Sequence, residues 1–235
     1  MALGSEHTLK AFDEDIDRLR GLISEMGGRA EAALADAIAA LTRKDIDLAA
    51  RVVQRDEKID ALETEIERLA VQVIALRAPM ADDLRETVAA LKIAGVIERI
   101  GDYAKNIAKR VPLIAESGGI KQTALLPAMA QVTVEMVHDV LNAFAARDAD
   151  LATAVCNRDK VVDDFYNNIF RTLVTYMMEN PRHISESAHL LFIAKNIERI
   201  GDHATNVAEM VYFAATGEHL PERERGENPA GPHTE

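Results

Sequence analysis

Two nearly identical stretches of sequence decide the fold. "IERIGDYAKNIA" occupies residues 97–108 and "IERIGDHATNVA" occupies residues 197–208, an offset of 100 (197 − 97). Each stretch keeps a Glu and an Asp four residues apart, with an Asn four residues after the Asp. Because an α-helix completes a turn in about 3.6 residues, this spacing places the three polar side chains along one side of a helix. The duplication therefore predicts two copies of one helical unit.

The repeat extends well beyond the acidic motif. "DAIAALTRKDIDLAARVVQRDEKID" at 36–60 matches "DVLNAFAARDADLATAVCNRDKVVD" at 139–163, an offset of 103 (139 − 36). In each copy, apolar residues recur at helical spacing and helix-breaking residues gather in short connections. Each repeat is therefore predicted to form three long helices. The predicted helices are 8–42, 46–77, 81–115, 122–146, 149–179 and 183–215.

This pattern predicts an all-α fold. Long helices with short connections fold back antiparallel, so we expect two tandem three-helix bundles, at 1–116 and 117–216, related by the internal repeat. The remaining segment, 217–235, is polar and rich in Gly, Pro and Glu. Such a composition buries too little apolar surface to fold, and we predict a disordered tail.

The charge and composition exclude several classes of function. Asp and Glu number 39 against 27 Lys and Arg, a net charge of −12, whereas a nucleic-acid-binding protein needs a basic surface. An acidic surface suits metal cations or a basic protein partner. The single cysteine, Cys156, excludes an internal disulfide and is typical of a reducing compartment. The sequence has no apolar signal segment or membrane-spanning stretch, so we expect a cytoplasmic protein that reaches a membrane only through partners.

The acidic motif is predicted to point away from the core of each bundle. With Glu98 at 0° on a helical wheel, Asp102 lies at about 40°, whereas the apolar stripe of the same helix centres near about 210°. Glu198 and Asp202 repeat this arrangement in the second copy. Gly101 lies beside the acids, where it costs about 1 kcal/mol relative to Ala. A close approach of a neighbouring helix is one explanation for it, and ordinary packing is another.

A second line of acids follows the middle helix of each repeat, with successive acids about one turn apart. In the first repeat these are Asp56, Asp60, Glu63 and Glu67. In the second repeat Asp159 and Asp163 follow the same track, but Tyr166 and Phe170 replace the last two acids. We therefore expect the two repeats to differ in any site that these acids form.

The acidic faces have two interpretations. A solvated surface is one, since charged faces are common on surface helices, and Lys105 and Lys109 beside the first motif favour it. However, like charges four residues apart destabilise a helix by roughly 0.2–0.5 kcal/mol per pair, and the pattern recurs on four predicted helices. Carboxylate and amide oxygens are the ligands that hard cations prefer, which favours a metal site with room for more than one ion.

The sequence resembles the PhoU family of phosphate-signalling regulators. The doubled "ERIGD" at 98–102 and 198–202 carries the resemblance, together with "EMGGRAEAALADAI", "RAPMADDLR", "MVHDVLNAFAARDADLA" and "TYMMENPRHI". The resemblance extends from about Ala11 to Thr216, which is nearly the whole chain.

The resemblance implies a cytosolic, usually dimeric adaptor. Such an adaptor dampens the phosphate-starvation response by acting between the phosphate ABC transporter and its membrane sensor histidine kinase. The resemblance also implies multinuclear sites for iron, zinc, manganese or magnesium. Carried onto this sequence, their ligands are Glu98, Asp102, Glu198 and Asp202, together with Asp56, Asp60, Asp159 and Asp163. The replacement of acids by Tyr166 and Phe170 puts the number of metal ions in the second repeat in question.

Two other functional classes are a ferritin-like metal-carboxylate enzyme and a purely structural helical spacer. The ferritin-like class needs Glu-x-x-His motifs that point inward, whereas this chain has Glu-x-x-x-Asp, and His203 projects about 100° away from Asp202. The sequence contains no Ser/His/Asp or Cys/His grouping and no phosphate-binding loop motif. We therefore predict a non-enzymatic protein.

Overall fold

The computed structural model describes the backbone of residues 3–116 and 125–220, and side chains within 12–115 and 125–220. These ranges contain eight α-helices, one short 3-10 helix and no strand. The predicted all-α fold is therefore confirmed. The helices are α1 (Leu3–Arg43), α2 (Ile46–Arg55), α3 (Glu57–Arg77), α4 (Asp82–Ala108), α5 (Val111–Glu116), α6 (Leu125–Ala146), α7 (Ala149–Glu179) and α8 (Ile184–Thr216), and the 3-10 helix is Pro181–His183.

The turns that begin the middle helices are the same in both repeats. Asp45 and Asp148 cap α2 and α7, and each carboxylate accepts a hydrogen bond from the backbone N–H three residues later, at 2.8 Å and 2.9 Å. The residue before each cap has a positive φ, 54° at Lys44 and 53° at Arg147. The internal repeat therefore extends to the conformation of a turn.

Two helices that were predicted to be continuous in the first repeat are interrupted. The helix predicted at 46–77 divides at Asp56, although its φ of −60° and ψ of −37° remain helical. The helix predicted at 81–115 divides at residues 109–110. Pro112 explains the second break, because it has no N–H to donate to the carbonyl of Ala108 and its ring would collide with that carbonyl. The predicted segment 122–124 and most of the predicted tail lie outside the described residues.

The two bundles pack against each other through corresponding helices. The first consists of α1 to α4 and the second of α6 to α8; α1 contacts α6, and α4 contacts α8. Tyr103 of α4 and His203 of α8, which are 100 positions apart (203 − 103), stack with ring centroids 5.5 Å apart. Contacts between corresponding helices and corresponding residues are expected of two copies related by a rotation. The middle helices, α3 and α7, pack on α4 and α8. Within the described ranges, none of the helices has a stretch long and apolar enough to cross a membrane.

A buried carboxylate joins the two repeats. Glu86 of α4 is 6% exposed and accepts a hydrogen bond from Arg20 Nε of α1 at 2.6 Å. Its other oxygen accepts a hydrogen bond from Arg147, in the turn between α6 and α7. Glu86 therefore ties its own bundle to the second one.

The Glu86→Gln variant is expected to destabilise the protein, because it removes a charge that two arginines share in a largely buried position. Breaking charge-assisted hydrogen bonds of this kind costs about 1–3 kcal/mol, and the partial exposure of both arginines favours the lower half of that range. Urea denaturation measures the change. The matched control is Glu25→Gln, which removes an exposed pair with Arg29 and should cost under about 0.5 kcal/mol. Equal stability of the two variants would contradict the role of Glu86 as a link between the repeats.

Candidate functional site

In the first repeat, acids from two helices face each other. Burial, together with the charges of Asp102, Glu63, Asp60 and Asp56, raises the pKa of Glu98 on α4 to about 7. Of these, only Asp102 lies on the same helix as Glu98. The acidic lines of the middle and last helices therefore meet at the α3–α4 interface. We name Asp56, Asp60, Glu98 and Asp102 the first acidic cluster.

In the second repeat, the corresponding acids meet at the α7–α8 interface. Burial raises the pKa of Asp163 on α7, and the charge of Asp202 on α8 adds to the effect. Burial also raises the pKa of Glu198, with contributions from Asp202 and Asp163. Asp159 lies beside Gly201, one residue before Asp202. We name Asp159, Asp163, Glu198 and Asp202 the second acidic cluster.

The prediction that these acids lie opposite the core needs correction. Asp56 is only 5% exposed and Glu198 only 9% exposed, so the acids are not a free solvated face. Of the eight acids, only Asp60 and Asp202 are exposed. A helical wheel orients a side chain relative to its own helix, and it does not show that α3 and α7 cover the acidic sides of α4 and α8.

Glycine permits this close approach. A Cβ atom at Gly101 would lie 2.9 Å from Cδ1 of Ile59 and 3.5 Å from Oδ1 of Asp56. At Gly201 it would lie 3.7 Å from Oδ1 of Asp159. A Cβ at Gly101 would therefore require the Ile59 side chain to shift, whereas one at Gly201 would make only ordinary van der Waals contacts, the nearest at 3.4 Å with Cγ1 of Val162. Of the two explanations for Gly101, the structure favours the close helix approach.

A lysine lies within the first acidic cluster. Lys105 Nζ donates a hydrogen bond to Oδ1 of Asp102 at 2.7 Å and a second one to Asp56. Burial lowers the pKa of Lys105, but the hydrogen bonds to Asp102 and Asp56 outweigh that effect and raise it overall. The ammonium group is therefore a permanent cation that connects α4 to the junction of α2 and α3.

The lysine nearest to the second acidic cluster makes different contacts from Lys105. Lys195 Nζ donates to Oε1 of Glu198 on its own helix at 2.5 Å and lies 5.2 Å from the centre of the Tyr166 ring. The other carboxylate oxygen of Glu198, Oε2, is buried without a hydrogen-bond partner. Thr205 occupies the position that corresponds to the bridging lysine, and its hydroxyl donates to the backbone carbonyl of Asp202 at 2.7 Å.

These contacts test how well each cluster suits a metal ion. The buried, unpartnered oxygen of Glu198, close to two further carboxylates, is the kind of donor set that a hard cation satisfies. In the first cluster a cationic side chain already bridges the acids. No three His, Cys, Asp or Glu side chains converge in a ready metal-binding geometry within the described ranges. The eight acids are thus brought together as two groups, and their role as ligands stays a prediction.

Sequence reasoning missed Lys195 near the second cluster, and it missed the stacking of His203. Lys195 precedes Glu198 by three residues, a spacing that favours an ion pair on a helix, so this signal was available. His203 is half-buried against Tyr103; burial lowers its pKa and the charge of Arg99 lowers it further. Nothing in the sequence indicated this stacking, which depends on how the two repeats pack.

Fold and site together define a class of protein: an all-α tandem repeat of three-helix bundles, each with an acidic helix–helix interface. The family model described as "PhoU domain" matches this chain twice, at residues 23–111 and 126–211. The chain belongs to the PhoU family.

Relatives and solved structures agree with this assignment. The chain is 57% identical to a phosphate-specific transport system accessory protein PhoU homolog of Zymomonas mobilis, over 94% of each chain. It is 49% identical to the homolog of Caulobacter vibrioides, over 92% of this chain and 94% of that one. The crystal structure of PhoU from Pseudomonas aeruginosa is similar with a TM-score of 0.86 and 38% identity, over 88% of this chain and 100% of that one. The phosphate transport system regulatory protein PhoU from Streptococcus pneumoniae is similar with a TM-score of 0.83 and 25% identity, over 90% and 100%.

Glu98 should make the stability of the metal-free protein depend on pH. Its pKa is about 7 in the folded state, against an ordinary value of 4.5, so the folded protein holds the proton more tightly than the unfolded chain. Below about pH 4.5 the group is neutral in both states; its cost to stability grows as the pH rises from about 4.5 to 7 and is complete above 7. The Glu98→Gln variant should therefore gain on the order of 1–3 kcal/mol over the wild type at pH 8, reduced by solvent screening, and nothing at pH 4.

Urea denaturation at both pH values, with chelator present, measures this difference. Glu67→Gln is the control, because Glu67 is exposed on α3 and should show little change. If the Glu98→Gln variant is no more stable than the wild type at pH 8, the pKa of Glu98 in the folded protein is not raised above its ordinary value.

Proposed function

We propose that this protein is a cytoplasmic regulatory accessory protein of a phosphate transport system. The observation that carries the proposal is the 57% identity, over 94% of each chain, to a relative named as an accessory protein of a phosphate-specific transport system. The solved relative from Streptococcus pneumoniae is likewise named a regulatory protein. The protein would act without catalysis of its own, as an adaptor.

The finer proposal is that the adaptor links the phosphate ABC transporter to a membrane sensor histidine kinase and represses the phosphate-starvation response. Its support is the resemblance of the doubled "ERIGD" motif and of the segments around it. On the same ground we propose a homodimer. Light scattering coupled to size-exclusion chromatography measures that state directly, and a monomer at micromolar concentration would contradict it.

Deletion of the gene in the native host is expected to leave phosphate-starvation genes expressed in phosphate-rich medium. Reporter expression from a starvation promoter measures this effect, and a plasmid-borne wild-type copy should restore repression. Normal repression in the clean deletion strain, with no second copy of the gene present, would count against the regulatory role.

We further propose that the acidic clusters bind divalent or iron-type metal ions, with magnesium, manganese, iron and zinc as the candidates. The support is electrostatic: carboxylates from two helices repel one another across each interface, and a divalent cation removes that repulsion while it gains oxygen ligands. The unpartnered Oε2 of Glu198 adds a buried acceptor that lacks a donor. The proposed ligands are the four acids of each cluster.

Mn²⁺ is expected to raise the melting temperature of the purified protein, and a chelator should reverse the rise. Binding to the folded form alone stabilises by about 2.7 kcal/mol at a hundredfold excess of ion over Kd. The combined variant Asp102→Asn with Asp202→Asn should lose most of this shift, whereas Glu218→Gln, at an exposed position after α8, should retain it. Identical melting of the wild type and the double variant across the titration would indicate that the acids contact a basic partner instead.

A further inference from the structure

Arg110, which lies between α4 and α5, is a partly exposed arginine without a carboxylate partner in the described part of the chain. Burial lowers its pKa, and no acid among the described residues offsets that effect. A partly buried charge without a counterion is unfavourable, so an anion supplied from outside would stabilise it. The other partly exposed arginines of the described ranges each form an ion pair, and they are Arg20, Arg77, Arg85 and Arg158.

Contacts with α8 hold the guanidinium group of Arg110 in place. Its Cζ lies 3.5 Å from the centre of the Phe192 ring, and its Nη1 lies 3.2 Å from Nδ1 of His189. Arginine has no acceptor, so Nη1 donates this hydrogen bond and Nδ1 of a neutral His189 accepts it. Nη2 has no acceptor among the described residues. The group is therefore oriented by its neighbours and keeps N–H donors for a ligand.

Apolar surface adjoins this charge. Phe192 is 48% exposed although the guanidinium covers one face of its ring, and Leu113, one turn after Arg110 on α5, is also 48% exposed. An arginine beside aromatic and aliphatic side chains is typical of the residues that dominate protein–protein binding. A free inorganic anion would use the charge but leave the apolar surface in water. The combination therefore favours a protein ligand.

The packing of the repeats does not require this stack of arginine on phenylalanine. At the offset of 100 that relates α4 to α8, Phe192 corresponds to Lys92 (192 − 100) and Arg110 corresponds to Met210 (110 + 100). The two helices pack along each other, and the equivalent positions do this without an arginine or an aromatic ring. The difference favours a role that is specific to one end of the molecule.

We propose that Arg110, Leu113 and Phe192 form a docking site for an acidic segment of a partner protein. A carboxylate of the partner binds the guanidinium group, and a neighbouring apolar side chain covers Phe192. Charge complementarity supports this occupant, because the carboxylate supplies the counterion that Arg110 lacks and forms charge-assisted hydrogen bonds with it. The inference rests on the proposed adaptor function and specifies the chemistry of one contact that the adaptor makes.

Expression from a phosphate-starvation promoter in phosphate-rich medium tests the docking site in the native host. Arg110→Glu should leave the promoter active, because it places a negative charge against the partner's carboxylate, and Phe192→Ala should act in the same direction. The matched control is Lys109→Glu, which makes the same change of charge at the adjacent exposed position and should repress like the wild type. Immunoblots and thermal melting should show equal abundance and stability, and Arg110→Met serves if the glutamate variant folds poorly.

Suppressors of Arg110→Glu identify the partner. Selection for restored repression should yield changes of Asp or Glu to Lys or Arg in another protein, which restore an attractive pair at the docking site. By calorimetry, the purified wild-type form of that protein should bind the Arg110→Met chain about thirtyfold or more weakly than the wild-type chain, as expected for a residue that dominates an interface. Lys109→Met should bind like the wild type.

Four results would overturn the inference. Full repression by Arg110→Glu, in a host whose deletion strain is derepressed, would do so and leave the adaptor role intact. Suppressors confined to this chain would show that the defect lies in folding. Inorganic phosphate bound by the wild type but not by Arg110→Met would show that a free anion occupies the site. Normal repression in the deletion strain itself would overturn the proposed adaptor role together with this inference.

Discussion

Electrostatic repulsion between carboxylates on neighbouring helices is the constraint on which the rest of the structure depends. α4 and α8 pack against the middle helices, most tightly at Gly101, and the same packing brings acids from both sides into one partly buried interface. Removing charges from water without compensation is costly. Each cluster must therefore be neutralised, and the residues around it show how this is achieved.

The first repeat neutralises its acids with groups of its own. Lys105 supplies a positive charge between Asp56 and Asp102. Glu98, with a pKa of about 7, holds a proton near neutral pH for part of the time. The ion pairs of Lys105 and the protonation of Glu98 reduce the charge of different members of the cluster, and neither requires a ligand from solution.

In the second repeat, different side chains surround the acidic cluster. Tyr166 replaces an acid, and Lys195 appears one turn before Glu198, where the first repeat has Gly95. The lysine approaches both the ring of Tyr166 and one oxygen of Glu198, and the other oxygen remains without a donor. Two copies of one motif on the same backbone thus have different electrostatic environments.

The sequence by itself determined the helices, the repeat and the identity of the acidic residues. Helical periodicity and turn residues are local signals, so the capped turns at Asp45 and Asp148 and the apolar stripes of α4 and α8 followed from them. The break before Pro112 was also a local signal, and it was overlooked. Only the tertiary structure decided where the acids lie and what neutralises them. The bridge from Lys105 to Asp56 joins residues 49 positions apart (105 − 56), and the stacking of His203 on Tyr103 joins residues 100 positions apart (203 − 103). The burial of Glu198 depends on α7, which packs on α8. Such contacts depend on the packing of one helix against another, which the periodicity of a single helix does not encode.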